Sequence, residues 1–283
     1  MKRHGLHSPR LAELKRARRR GLQNKILLII LALAMVITGL AFLSRINKLN
    51  INAVEVVGSK VVDQDLIKEA VNEDLAGNYL WFFPKKNIFI YPKQKTFDDL
   101  TEKWKRLKNI SSNITNDGVL QISVDERQGL YIWCGAMPGK SDSGCYYIDS
   151  DGYIFDEAPY FSGEVYFKFY GGISDSENPV GNYIAKDNFA KLLTFKDTLD
   201  KIGLKPTSIY LGGSGEVKVY LLPTRGSNSP EIMFKLADDL ENLAGNLQTA
   251  LNTDPLQMDF QKKYSSLIYI DLRFGNKVYY KFR

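Results

Sequence analysis

The residues able to do chemistry in this 283-residue chain are few, and most stand apart from one another. The two histidines, His4 and His7, precede an uncharged apolar run at residues 26–43. If that run crosses a membrane, the large part beyond it can assemble no Ser-His-Asp, Cys-His or histidine–metal constellation. The two cysteines, Cys134 and Cys145, have ten residues between them. An oxidising compartment permits a disulfide across a hairpin there, and two free thiols are the other state; a lone pair says nothing of catalysis. Gly139-Lys140-Ser141 looks like the end of a phosphate loop, but the pattern needs glycine where Cys134 stands and a strand leading into a helix. Asp149 and Asp151 could suggest a calcium loop, yet Tyr153 occupies the next ligand position and no downstream Glu fits. The expectation is a turn capped by Asp side chains. Paired carboxylates stay available in principle, since 31 acids lie beyond the apolar run. Asn109-Ile110-Ser111 and Asn113-Ile114-Thr115 match the glycosylation sequon, which matters only on a eukaryotic secretory route. The expectation is a protein that is no enzyme and takes no cofactor or metal.

The charge is distributed so as to argue against nucleic acid. Nine Lys/Arg and one acid, Glu13, fall in residues 1–25, and Arg45 follows the apolar run. The remainder holds 28 basic and 31 acidic residues of the chain's 38 and 32, so the net charge of +6 belongs to the tail. A nucleic-acid binder concentrates positive charge on its folded part. The run at 26–43, ILLIILALAMVITGLAFL, would span ~27 Å as a helix, close to the hydrocarbon thickness. A cleaved signal peptide has a shorter apolar core and a small-residue cleavage site; here Phe42, Leu43 and Arg45 follow. The expectation is a single-pass anchor with the basic tail in the cytoplasm and the rest outside. The tail then sets topology, with a partner-binding helix in SPRLAELKRARRR as the alternative.

The elements that must position any site follow from periodicity. INAVEVV at 51–57 reads as a strand ending at Gly58, and Asp63 can cap a helix to about Val71. Residues 76–92 are rich in aromatics: Tyr79, Trp81, Phe82, Phe83, Phe89 and Tyr91. Such a cluster is expected in the core; contact with the bilayer surface is the alternative, given the nearby anchor. Residues 96–108 read as a second helix, and 110–115 with 119–126 as a hairpin about Asn116-Asp117-Gly118. Residues 51–126 thus read β-α-α-β-β. Further strands are expected at 131–134, 146–148, 153–155, 165–170, 208–211 and 217–222, with a helix over 187–202 stopped by Gly203. Leucines at 236, 240, 243, 247 and 251 give a late helix, and 265–272 with 277–282 close the chain as a hairpin about Gly275-Asn276. That last strand is a candidate exposed edge. Tyr279 and Tyr280 alternate across it, so one faces solvent or a partner.

The order of parts resembles the bacterial cell-division family FtsQ, called DivIB in Gram-positive bacteria, over nearly the whole chain. INAVEVVGSKVVDQDLIKEAV resembles the opening of that family's POTRA domain. LQISVDERQGLYIWC resembles its closing strand, with Val124, Glu126 and Arg127 in the Val-x-Glu-Arg positions. YYIDSDGYIFDEA resembles the Asp-x-x-Gly hairpin opening its β domain, and IYIDLRFGNKVYYKF its terminal hairpin, with Ile270, Asp271, Leu272 and Arg273. The resemblance implies an α+β fold: a transmembrane helix at 26–43, a POTRA domain at 51–126, and a mostly antiparallel β domain with helices at 127–283. A short strand at 231–234 ahead of the late helix is implied by the family alone. The chain departs from the family in its aromatic 76–92, in an irregular 223–230 loop and in having no γ tail.

By resemblance, the protein is a non-enzymatic divisome scaffold at the septum of the cell membrane. Its implied partners are FtsB- and FtsL-like single-pass proteins and the septal peptidoglycan synthase. In the family FtsB binds along the last strand, and the residues matching the binding hairpin are Arg273 and Phe274, with Tyr279 and Tyr280 beyond. The competing reading of Arg273 is an ion pair with Asp271 or a neighbouring acid, and of Phe274 a place in the core. The competing functions are a POTRA-bearing export protein, a membrane-tethered wall enzyme and a tethered regulator. The first would need a barrel's series of amphipathic strands, which the sequence lacks.

Overall fold

The computed structural model describes residues 9–139, 144–161, 165–223 and 229–283. His4, His7, Lys140, Ser141 and most of the 223–230 loop lie outside the described residues. The fold mixes helix and sheet, with one N-terminal apolar helix and a large, mostly sheet domain.

The first helix, α1 (Pro9–Ser44), is longer than the expected span. It runs back through the basic tail because Ala, Leu, Lys and Arg are all good helix formers. Residues Arg18–Ser44 are long and apolar enough to cross a membrane. Two compact units are distinguishable: residues up to 103 together with 109–125, and residues 104–108 together with 126–283.

In the first unit, β1 (Ala53–Val57) leads to α2 (Gln64–Leu75). Asp63 caps α2 by accepting the Asp65 N–H, which satisfies one of the orphan donors of the first turn. Gly58 ends β1 at φ +99, and a Cβ there would lie 2.0 Å from the Val124 carbonyl oxygen, so the strand end tolerates only glycine. A short hairpin, β2 (Asn78–Tyr79) and β3 (Phe83–Pro84), precedes α3 (Lys93–Lys103). The sheet is closed by β4 (Leu107–Ile114) and β5 (Val119–Glu126), in the order β1-β5-β4 with β1 parallel to β5. Val56, Ile67, Val71, Leu100, Leu120 and Ile122 are buried. The helix expected over 96–108 ends at Lys103. Leu107 starts a strand whose side chains alternate in exposure, and that pattern overrode the helical spacing of Trp104 and Leu107.

The second unit is built on one nine-stranded sheet. Its strands are β6 (Tyr131–Trp133), β7 (Tyr146–Ile148), β8 (Ile154–Glu157), β9 (Lys168–Gly171), β10 (Pro206–Leu211), β11 (Glu216–Leu221), β12 (Glu231–Lys235), β13 (Leu267–Phe274) and β14 (Lys277–Phe282). They lie in the order β14-β13-β12-β11-β10-β9-β6-β7-β8. Five pairings are antiparallel and three are parallel, namely β12–β13, β9–β10 and β6–β9. The parallel pairings require crossovers: α4 (Phe189–Lys201) precedes β10, α5 (Leu240–Leu251) and α6 (Leu256–Lys263) precede β13, and β7 and β8 intervene between β6 and β9.

Strand alternation divides the residues between two cores. Trp133, Phe169, Ile148 and the inner residues of β10–β13 pack with Phe189, Phe195, Leu243 and Leu247 of α4 and α5. Ile132, Cys134, Cys145 and Tyr170 form a smaller cluster. Cys134 and Cys145 form a disulfide. The late helix starts at Leu240 rather than 236, because the Asp239 carboxylate accepts the N–H groups of Glu241 and Asn242 and fixes the start there.

Candidate functional site

The end of the chain forms one edge of the large sheet. β13 and β14 pair antiparallel, with Ile270 opposite Tyr280 and Asp271 opposite Tyr279, and the register shifts between Asp271 and Phe274. Among the described residues no strand pairs with the outer side of β14. The other edge is different. Ile154 of β8 receives the Gly181 N–H at its carbonyl and donates its own N–H to Asn182, so residues 181–184 already occupy that side. Two edges with the same liability have been treated in opposite ways.

Side chains of β14 alternate. Val278, Tyr280 and Phe282 are half-buried against the main core, whereas Lys277, Tyr279 and Lys281 are exposed. Phe274 is 57% exposed and meets Tyr279 edge-on at 5.2 Å between ring centroids. The four sequence-predicted residues are therefore not equivalent. Phe274 and Tyr279 form an outward aromatic pair, so a core place for Phe274 is ruled out by its exposure. Tyr280 turns inward, meeting Phe282 edge-on at 5.7 Å.

Arg273 is committed within the protein. Its Nε and Nη2 donate to the two Asp271 oxygens at 2.9 and 2.6 Å, and Nη1 donates to Glu216 Oε1 at 2.9 Å. The Asp271 carboxylate also accepts the Arg273 N–H at 3.1 Å, closing the irregular end of the strand. Burial pushes the Asp271 carboxyl up, but its bonds and attraction to Arg273 outweigh burial and hold it below the usual carboxylate range. The Asp271 hydrogen bond in turn raises the guanidinium. Sequence spacing offered Asp271 as the partner but not Glu216, which lies on a non-neighbouring strand.

A second polar cluster was only half legible. Asp149 is 1% exposed; it accepts the N–H groups of Asp151 and Tyr153 at 2.9 and 3.0 Å, as a turn cap does. Its other oxygen takes Arg127 Nη1 at 2.5 Å. Arg127 donates Nε to the Lys105 carbonyl at 3.1 Å and lies over the Tyr153 ring at 4.2 Å. Nearby in sequence, Arg106 grips Asp156 with two bonds to Oδ2, at 2.9 and 2.7 Å, and lies over Phe155 at 4.9 Å. These groups satisfy one another completely enough to act as a structural knot. Residues from the Val-x-Glu-Arg and Asp-x-x-Gly segments meet there, which the sequence did not reveal.

No protein-family model matches the chain, and no curated protein matches it in sequence.

Proposed function

We propose that this chain is an FtsQ-like, non-enzymatic scaffold of the division machinery, anchored by α1 in the cell membrane with its two units outside. In this reading the first unit serves as a POTRA docking domain. The second binds an FtsB- or FtsL-like single-pass protein and links it to the septal peptidoglycan synthase. The observation that carries the reading is the open edge of β14, flanked by the exposed Phe274–Tyr279 pair. An unpaired row of N–H and C=O groups accepts an added strand, and adjacent aromatic side chains give it an anchor. Lys277 and Lys281 on the same exposed face favour an acidic partner segment and disfavour a second copy of this edge.

The test is capture of the full-length protein, in detergent, by tagged small single-pass coiled-coil proteins of the host envelope. Phe274→Ala with Tyr279→Ala is expected to weaken capture about tenfold or more, with no change in melting temperature, because both side chains are exposed. Arg273→Ala is a poor probe, since it breaks an internal ion pair. Capture that is absent, or that the double variant leaves intact, would sink the assignment of this edge.

A further inference from the structure

We infer that the β2–β3 hairpin and the segment following it are a membrane-surface element that lies in the headgroup region of the bilayer beside the end of α1. The inference rests on reading α1 as a membrane anchor. Four observations carry it.

The first is exposure. The expectation of a core place for the aromatics of 76–92, with bilayer contact as the alternative, fails for four of the six: Tyr79, Trp81, Phe82 and Phe89 are exposed, as are Leu80 and Ile90, with Trp81 at 88%, while Phe83 and Tyr91 are half-buried. An apolar concentration of this kind needs a cover, and Trp and Tyr are the residues enriched at membrane interfaces.

The second is attachment. The segment is tied to the helix end by hydrogen bonds. Asn87 Nδ2 donates to the Ser44 carbonyl at 3.0 Å, and Asn50 Nδ2 donates to the carbonyls of Ser44 and Ile46 at 3.0 and 2.7 Å. The Ile51 N–H reaches the Lys86 carbonyl at 2.8 Å and the Ile88 N–H the Leu49 carbonyl at 3.0 Å. The last carbonyls of a helix leaving a bilayer have no intrahelical donors and little water. Here Asn87 of this segment, together with Asn50, supplies donors to the carbonyl of Ser44, the last residue of α1. Of residues 26–43, Ala41 alone is buried, at 8% exposure, while its neighbour Phe42 is 78% exposed. The end of α1 lies against β3. Protein thus covers one face of the span's final turn, and whatever covers it sits at membrane level. Trp81 is six residues from Asn87, within ~20 Å of chain from that point.

Third, the turn is strained in a way local stability does not require. Leu80 and Trp81 both have positive φ, 46 and 71, and the Phe82 N–H bonds the Tyr79 carbonyl across them. A turn of this shape favours Asn-Gly. Two large apolar residues hold it instead and project outward.

Fourth is charge. Residues 41–52 and 76–92 carry Arg45, Lys48, Lys85 and Lys86 and no acid. Cations beside an apolar insertion suit anionic headgroups.

The test uses the full chain in vesicles of phosphatidylcholine and phosphatidylglycerol. Trp81 is one of three tryptophans, with Trp104 and the buried Trp133. A lipid bearing a nitroxide near its headgroup is expected to quench wild-type emission, and the quenched share falls about threefold in Trp81→Phe. Flotation of the same vesicles reads the anchor separately. Chain that floats while wild type and Trp81→Phe are quenched alike overturns the surface element and leaves the anchor standing. Trp81 shielded from both the nitroxide lipid and aqueous iodide assigns the patch to a protein cover and overturns the inference as well. Chain that does not float overturns the anchor reading and this one with it.

Discussion

At the scale of single residues, the strongest constraint is the buried Arg127–Asp149 pair. Asp149 uses one oxygen to cap its turn and the other to hold Arg127, so both oxygens have donors. Removing Arg127 leaves a carboxylate that is 1% exposed without its cation. Breaking such a pair costs about 3–5 kcal/mol. Arg127→Ala should therefore lower the melting temperature of the full chain sharply, whereas Asp151→Ala, whose side chain is exposed, should change it little; equal effects would show that the pair is not what stabilises this corner. The Asp149 turn was legible because a turn-capping Asp acts on its own neighbours in sequence. Its ion pair was not, because Arg127 lies 22 positions away and nothing in spacing joins them. The same holds for Arg273 and Glu216, 57 positions apart.

At the scale of elements, local chemistry was readable wherever one residue decides a boundary: the Asp63 cap, the Asn116-Asp117-Gly118 turn between β4 and β5, and the closing hairpin. It failed where two periods coexist, as at Trp104 and Leu107, and where aromatic spacing could not say whether the ring faces the core or the surface, as in 76–92. The β13–β14 hairpin has a pH response of its own. Asp271 is held below its ordinary value, so its contribution to stability is present above an unfolded-state pKa near ~3.9 and is lost as pH falls through the lower folded value. As pH falls from about 4 toward that lower folded value, the three bonds from Arg273 should weaken, and amide exchange in β13 and β14 should quicken ahead of that in β10 and β11. In Asp271→Asn the acid step should vanish, with faster exchange at neutral pH; an acid step of unchanged size in that variant would assign it to another carboxyl.

At the scale of the whole molecule, helix, charge and disulfide make one connected claim about topology. α1 has 36 residues, ~54 Å of helix, more than a ~30 Å hydrocarbon core needs, and its basic half cannot lie within lipid. Nine Lys/Arg precede the apolar run, so in the proposed reading the positive-inside rule would keep that end in the cytoplasm. That reading would place the Cys134–Cys145 bond in an oxidising exterior, where a disulfide persists. The bond closes a short loop, and loop-entropy arguments give it about 2–3 kcal/mol of stabilisation. In bacterial cells lysed into excess alkylating reagent, both thiols of the full chain should become modifiable only after reduction. Replacing Arg16, Arg18, Arg19 and Arg20 with Asn should invert a fraction of the molecules, and that fraction should carry free thiols without reductant. Thiols that are free in the unaltered chain would put the sheet domain in the cytoplasm. The open edge of β14 would then face cytoplasmic partners, and the proposed scaffold outside the membrane would fail at its first requirement.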